Sequence, residues 1–229
     1  MAEQKKKKEE KQKAMGVLVT IGAISIVVFI VVLVISSLLE EQRGKRPGGG
    51  IVKQPDIEVM YLSPNPYSRS QKTLKRVNGI VVHYTANPGS SAKENRNYFE
   101  NLKNKKTKYA SSHYIVGLEG EIIQCIPLNE IAYASNERND DTISIECCHP
   151  DSTGKFNKET YDSLVKLVAW LSDEYGLEEE DIIRHHDVTG KLCPKYFVEH
   201  KNAWIKFKRN VFDYIEEQRI TITAPKKEQ

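Results

Sequence analysis

A chain of 229 residues and 26.2 kDa holds one sizeable domain with appendages and is short for two. Charged residues at 28% and apolar residues at 39% exclude a low-complexity or wholly disordered polymer. The net charge of +3 is already present in residues 1–13, which carry six lysines and three glutamates. The chain beyond residue 39 is neutral and offers nucleic acid no electrostatic footprint, so that partner class is excluded.

Residues 1–13 read as a basic tail. Residues 14–39 (AMGVLVTIGAISIVVFIVVLVISSLL) contain no charge, although the mean hydropathy of the whole chain is −0.52. A helix needs about 20 apolar residues to span a bilayer, and this run exceeds that. It is too long for the apolar region of a secretory signal, lacks a small-residue cleavage site at Leu38–Leu39, and is apolar all round. The expectation is one transmembrane helix. The lysines before it place the N-terminus in the cytoplasm and the remainder outside the cell membrane. Residues 40–50 (EEQRGKRPGGG) are charged and then Gly-rich, as in a flexible stalk. Residues 51–78, with three prolines, read as an irregular lead-in that packs on the domain. The domain boundaries drawn from these shifts are 1–13 tail, 14–39 span, 40–60 stalk and linker, 61–219 globular domain and 220–229 polar tail.

Within the domain, residues 79–83 (GIVVH) are a short β-branched run, the pattern of a buried strand. Ser91 precedes Glu94 by three positions, a capping box that opens a helix. Residues 112–116 and 121–126 read as two strands joined by a glycine turn, and residues 142–147 (TISIEC) as a further strand. Asn157 can cap a helix carrying Leu164, Val165, Val168 and Leu171, with Gly176 at its C-terminus. A last helix carries Trp204, Phe207, Val211 and Ile215. Strands interspersed with helices predict an α/β domain with a mixed central sheet flanked by helices.

The residues able to carry chemistry are few. Cysteines lie at 125, 147, 148 and 193, and histidines at 83, 113, 149, 185, 186 and 200. Cys125 with Cys147 or Cys148 is one candidate disulfide; the other reading makes them small buried apolar residues. His83 ends a buried strand, where the side chains of an α/β sheet meet a cleft. A histidine and Cys193, eight or so residues apart around Gly190, can converge from one loop. Imidazole and thiolate suit zinc, and three protein ligands with one position open describe a catalytic site. Spacing alone leaves His185 and His186 both available.

Four strings occur in order: residues 79–93 (GIVVHYTANPGSSAK), 110–117 (ASSHYIVG), 142–147 (TISIEC) and 184–195 (RHHDVTGKLCPK). Together they resemble the zinc-dependent N-acetylmuramoyl-L-alanine amidases, the amidase-type endolysins and autolysins related to peptidoglycan-recognition proteins. The resemblance covers about residues 62–197. It implies one Zn²⁺ held by His83, His185 and Cys193, with His186 a neighbour on the rim. It implies Glu146 as the carboxylate that takes a proton from the attacking water. It implies Lys191 as the cation facing the scissile carbonyl. Ser112 stands where some relatives carry a tyrosine before His113, which leaves the base role to Glu146. His113 either lines the cleft or is a structural histidine, Asp187 either orients His185 or caps the following turn, and Thr85 and Asn87 are candidate groove residues. The function implied is cleavage of the amide between N-acetylmuramic acid and L-alanine in peptidoglycan, by a hydrolase tethered to the membrane through its N-terminal helix. The competing expectation is a non-catalytic muropeptide-binding module.

Overall fold

The β-branched run expected at residues 79–83 forms strand β2 (Ile80–Tyr84) in a computed structural model that describes residues 28–32 and 49–223. The other strands are β1 (Glu58–Val59), β3 (Tyr114–Val116), β4 (Ile122–Gln124), β5 (Ile143–Cys147) and β6 (Ile182–Arg184). They make one six-stranded sheet in the order β1-β4-β3-β5-β2-β6. Only the β3–β4 pair is antiparallel; β1–β4, β3–β5, β5–β2 and β2–β6 are parallel. The fold is thus the expected mixed α/β sheet with flanking helices.

The helices are α1 (Ala92–Lys105), α2 (Lys158–Tyr175), α3 (His185–Thr189), α4 (Lys195–Glu199) and α5 (Lys201–Thr223). Alternation along the strands divides the core into two layers. Ile80, Val82, Ile143, Ile145 and Cys147 join Leu164, Val168, Leu171, Phe207 and Val211 of α2 and α5 on one face. Ile115, Ile123 and Cys125 join Phe99 and Leu102 of α1 on the other. Each fully buried aliphatic side chain contributes about 1.5–3 kcal/mol. Because β5 turns Ile143 and Ile145 toward α2 and α5, Ser144 and Glu146 are directed to the α1 side of the sheet.

Both expected helix starts are present. Ser91 and Glu94 form a reciprocal capping box, and the Asn157 side chain accepts from the Thr160 backbone N–H. Gly176 ends α2 at φ 62°, a left-handed conformation that glycine adopts without a Cβ clash.

Residues 51–60, drawn as linker in the domain boundaries, lie against the domain as expected of the lead-in: the Ile51 and Val52 N–H groups donate to the Asp173 carboxylate (2.6 and 2.9 Å), Val52 is buried, and β1 pairs with β4. A two-residue edge strand has too little periodicity to stand out from a proline-bearing stretch. Helix α5 also runs through the threonines to Thr223, past the expected end at residue 219, with the Thr221 hydroxyl donating to Glu217 O (2.8 Å).

All four cysteines are free and buried. Cys125 and Cys148 pack in the layer beneath α1, and Cys147 on the opposite face. The expected basic tail, the transmembrane span of residues 14–39 and the stalk up to residue 48 lie outside the described residues, apart from residues 28–32, which are helical. Among the described residues no helix is long and apolar enough to cross a membrane.

Candidate metal centre

Three parallel strand ends assemble the site. His83 on β2 pairs in register with Glu146 on β5, and Val82 pairs with Arg184, the last residue of β6. The next residue, His185, therefore emerges beside His83. Neighbouring strands are about 4.8 Å apart, so this register lines up Glu146, His83 and His185 along the carboxyl ends of the strands, where open α/β sheets bind ligands. Cys193 returns to the same point through a tight loop. Gly190 caps α3 in the left-handed region (φ 74°), and the His186 N–H donates to Cys193 O (2.8 Å).

His83, His185 and Cys193 are buried, and their donor atoms all lie within 4.8 Å of one another. His83 Nδ1 is 3.1 Å from His185 Nδ1 and 3.8 Å from Cys193 Sγ. Tetrahedral zinc, with bonds of about 2.05 Å to nitrogen and about 2.3 Å to sulfur, needs edges of about 3.3 and 3.6 Å between such donors. The donor set suits the ion, and the two edges at His83 come close to these values, while the His185–Cys193 edge is within 4.8 Å.

The outer nitrogens strengthen that fit. Nε2 of His83 lies 3.1 Å from Ser135 Oγ, and Nε2 of His185 lies 3.4 Å from the amide oxygen of Asn136. In the tautomer with both Nε2 atoms protonated, the two Nδ1 lone pairs face each other across 3.1 Å and could hold a cation between them; with one Nδ1 protonated the same contact is a hydrogen bond between the rings. Burial, with the neighbouring His185 and the Lys191 charge, holds His83 well below its ordinary pKa; burial and Lys191 lower His185 as well. Both rings stay neutral and able to ligate. Burial, with the Glu146 charge, pushes the Cys193 thiol up to about 12, while the Tyr84 backbone N–H bonded to its sulfur and Lys191 act in the other direction. Such a thiol gives up its proton to a metal placed against it.

The cleft above these residues has a volume of about 530 Å³ and also takes in Glu146, Lys191 and Asn136. Glu146 Oε2 is shut from solvent and has no hydrogen-bond partner. Burial raises this carboxyl to about 8, and the Lys191 cation opposes the shift. A high-pKa carboxyl beside a three-donor centre can take up and return a proton near neutral pH. Lys191 is exposed, lines the cleft, and acts electrostatically on His83, His185, Glu146 and Cys193 together.

The remaining candidates fall elsewhere. His186 donates from Nδ1 to Lys191 O (3.0 Å) and stays outside the donor trio. His113 is structural: its Nε2 donates to Glu130 O (2.9 Å), and its Nδ1 accepts from the Ser144 N–H (3.0 Å). Asp187 caps α3 by accepting from the Arg184 N–H (2.8 Å) and guanidinium. Thr85 lines the cleft, whereas Asn87 accepts from Ser90 in a turn. Ser135 and Asn136 went unnoticed in the sequence, where nothing in SNERND marks them as partners of distant histidines.

Residues 73–196 match the family described as N-acetylmuramoyl-L-alanine amidase. The chain is 34% identical to the N-acetylmuramoyl-L-alanine amidase CwlL of Bacillus licheniformis, over 72% of this chain and 49% of that protein. It is 31% identical to the amidase BlyA of Bacillus subtilis (strain 168), over 73% of this chain and 50% of the relative. The chain thus spans about half the length of these curated relatives. Among solved structures, PlyL superposes with a TM-score of 0.60 at 25% identity, covering 69% of this chain and 97% of PlyL. The catalytic domain of XlyA gives 0.58 at 25% identity, covering 69% and 99%.

Proposed function

Because the chain belongs to the N-acetylmuramoyl-L-alanine amidase family, we infer that it hydrolyses the amide bond between N-acetylmuramic acid and L-alanine in peptidoglycan. The observation that carries this reading is the gathering of His83, His185 and Cys193 in one buried trio at the floor of a cleft that also holds Glu146. The three side chains would hold Zn²⁺, which when bound supplies Lewis acidity that polarises a carbonyl and brings the pKa of water toward about 7.

The chain's own groups account for the rest. Glu146 Oε2, buried and unpaired, accepts a proton from the attacking water and returns it to the leaving amine. The Lys191 ammonium offsets the negative charge that develops on the substrate's carbonyl oxygen. Ser135 and Asn136 keep both imidazoles in the tautomer that turns Nδ1 inward.

The same reading places the enzyme on the outer side of a membrane. Residues 14–39 form an uncharged run long enough to span a bilayer, and the lysines at 5–8, 11 and 13 precede it. A tether of this kind restricts action to nearby wall.

The deciding experiment incubates the purified full-length chain with defined disaccharide-peptides, with and without chelator, and identifies the products by mass. Release of intact stem peptide with a free L-alanine amino group, abolished by chelator and restored by zinc, is the expected result. Binding without cleavage in zinc-replete buffer would move the chain to the muropeptide-binding class. Membrane retention after alkaline extraction, lost when residues 1–39 are deleted, tests the tether.

A further inference from the structure

One end of the cleft is aromatic. Tyr109 lines it with its side chain exposed (63%). The ring is not loosely held. It stacks on Tyr67 (centroids 5.3 Å apart, planes at 23°) and meets Tyr133 edge-on (5.7 Å, 79°). These three tyrosines come from the lead-in, the loop after α1 and the loop after β4. Backbone bonds lock the segments together: the Ala110 N–H donates to Tyr67 O (3.0 Å), the Ser111 N–H to Tyr133 O (3.1 Å), and the Tyr133 N–H to Ser111 Oγ (3.0 Å). The outcome is a braced, solvent-facing aromatic surface in the same cleft as the metal centre.

The walls beside it carry hydrogen-bonding groups, with Asn95, Ser111, Asn136 and Asn139 lining the cleft, together with the cationic Lys108. A flat ring flanked by amides and hydroxyls matches a pyranose, which offers an apolar C–H face to stack and hydroxyls around its edge. A peptide side chain without a ring offers no flat face of that kind. We propose that Tyr109, braced by Tyr67 and Tyr133, is a saccharide platform that binds a sugar ring of the glycan strand while the peptide amide lies over the metal centre. The proposal rests on the amidase reading and names which part of the substrate that end of the cleft recognises. It also gives a reason for the bracing: a ring fixed in advance loses little conformational entropy when the sugar docks.

The test measures binding by calorimetry with zinc-loaded full-length Glu146→Gln protein, so that turnover does not interfere. The ligands are a disaccharide-peptide and the same stem peptide without sugar. Tyr109→Ala in this background should weaken the disaccharide-peptide about fivefold to tenfold and leave the free peptide unchanged. Tyr109→Phe and Tyr109→Trp should keep wild-type affinity, since the ring face and not the hydroxyl makes the contact. Equal weakening of both ligands would assign the platform to the peptide and overturn the proposal, as would an unaltered affinity in Tyr109→Ala. Failure of the amidase reading shows separately, as absence of hydrolysis by the wild-type chain, and does not mimic either result.

Discussion

His83 and Glu146 stand directly opposite each other on adjacent parallel strands, β2 and β5, with both side chains on the sheet face away from α2 and α5. A candidate metal donor and a candidate base are thereby spaced by the sheet itself, the most rigid element available. A site built on strand register needs no loop movement to bring the two together.

Replacing Glu146 with Gln keeps the side chain's volume and removes its ability to take a proton. Zinc content should stay stoichiometric while turnover falls at least about 100-fold. Lys191→Ala should likewise retain zinc and lower turnover about 10- to 1,000-fold. Metal analysis and kcat measured on the same preparations check both. Wild-type turnover in Glu146→Gln would remove the base assignment.

Ser135 Oγ lies 3.1 Å from His83 Nε2 and Asn136 Oδ1 lies 3.4 Å from His185 Nε2, so two consecutive residues contact the outer nitrogens of both imidazoles. Ser135→Ala leaves the His83 ring free to turn or change tautomer. Zinc affinity, read by competition with a chromogenic chelator, should drop about 10- to 100-fold. Ser135→Thr, which keeps the hydroxyl, should recover most of it. An unchanged affinity in Ser135→Ala would show that packing alone fixes the ring.

This pair also marks where sequence reading stops. The β-branched strand at residues 79–83, the Ser91–Glu94 capping box and the Asn157 cap were legible because their signals are local: composition, period and three-residue spacing. The trio His83, His185 and Cys193 was legible only through resemblance, since spacing alone left His186 equally eligible. What separates them is register. His185 follows β6 at the level of His83, whereas His186 turns toward Lys191 O. Ser135, Asn136 and the β1 edge strand carried no signal, because their roles depend on which distant segments the completed sheet places beside them.

The cysteines should divide cleanly. Cys193→Ser removes the sulfur 3.8 Å from His83 Nδ1 and should weaken zinc binding and activity together. Cys125 is buried beneath α1, where burial pushes its thiol up to about 12. Cys125→Ala should leave zinc stoichiometry unchanged and cost about 1 kcal/mol of stability through lost packing. Thiol titration of the unfolded chain under non-reducing conditions should count four free thiols, matching the absence of disulfides among the described residues.

His113 makes the acid limb of the stability profile predictable. Burial lowers its pKa to about 4, with the Glu130 carbonyl only partly opposing the shift, while in the unfolded chain a histidine titrates near about 6.5. Between those values the unfolded state binds a proton that the native state does not, so stability rises with pH across the window. The favourable contribution is fully present above about pH 6.5 and is lost progressively as pH falls toward 4, a swing of about 3 kcal/mol. Urea unfolding of metal-free protein at pH 7, 6, 5 and 4 reads the combined slope, to which the buried His83 and His185 also contribute with the same sign, and the difference between wild type and a His113 variant isolates the His113 share. His113→Gln, which cannot take up that proton, should be less stable at pH 7, because two buried hydrogen bonds are disturbed, yet should show a flatter decline toward pH 4. Parallel declines in the two proteins would place the acid sensitivity on other groups.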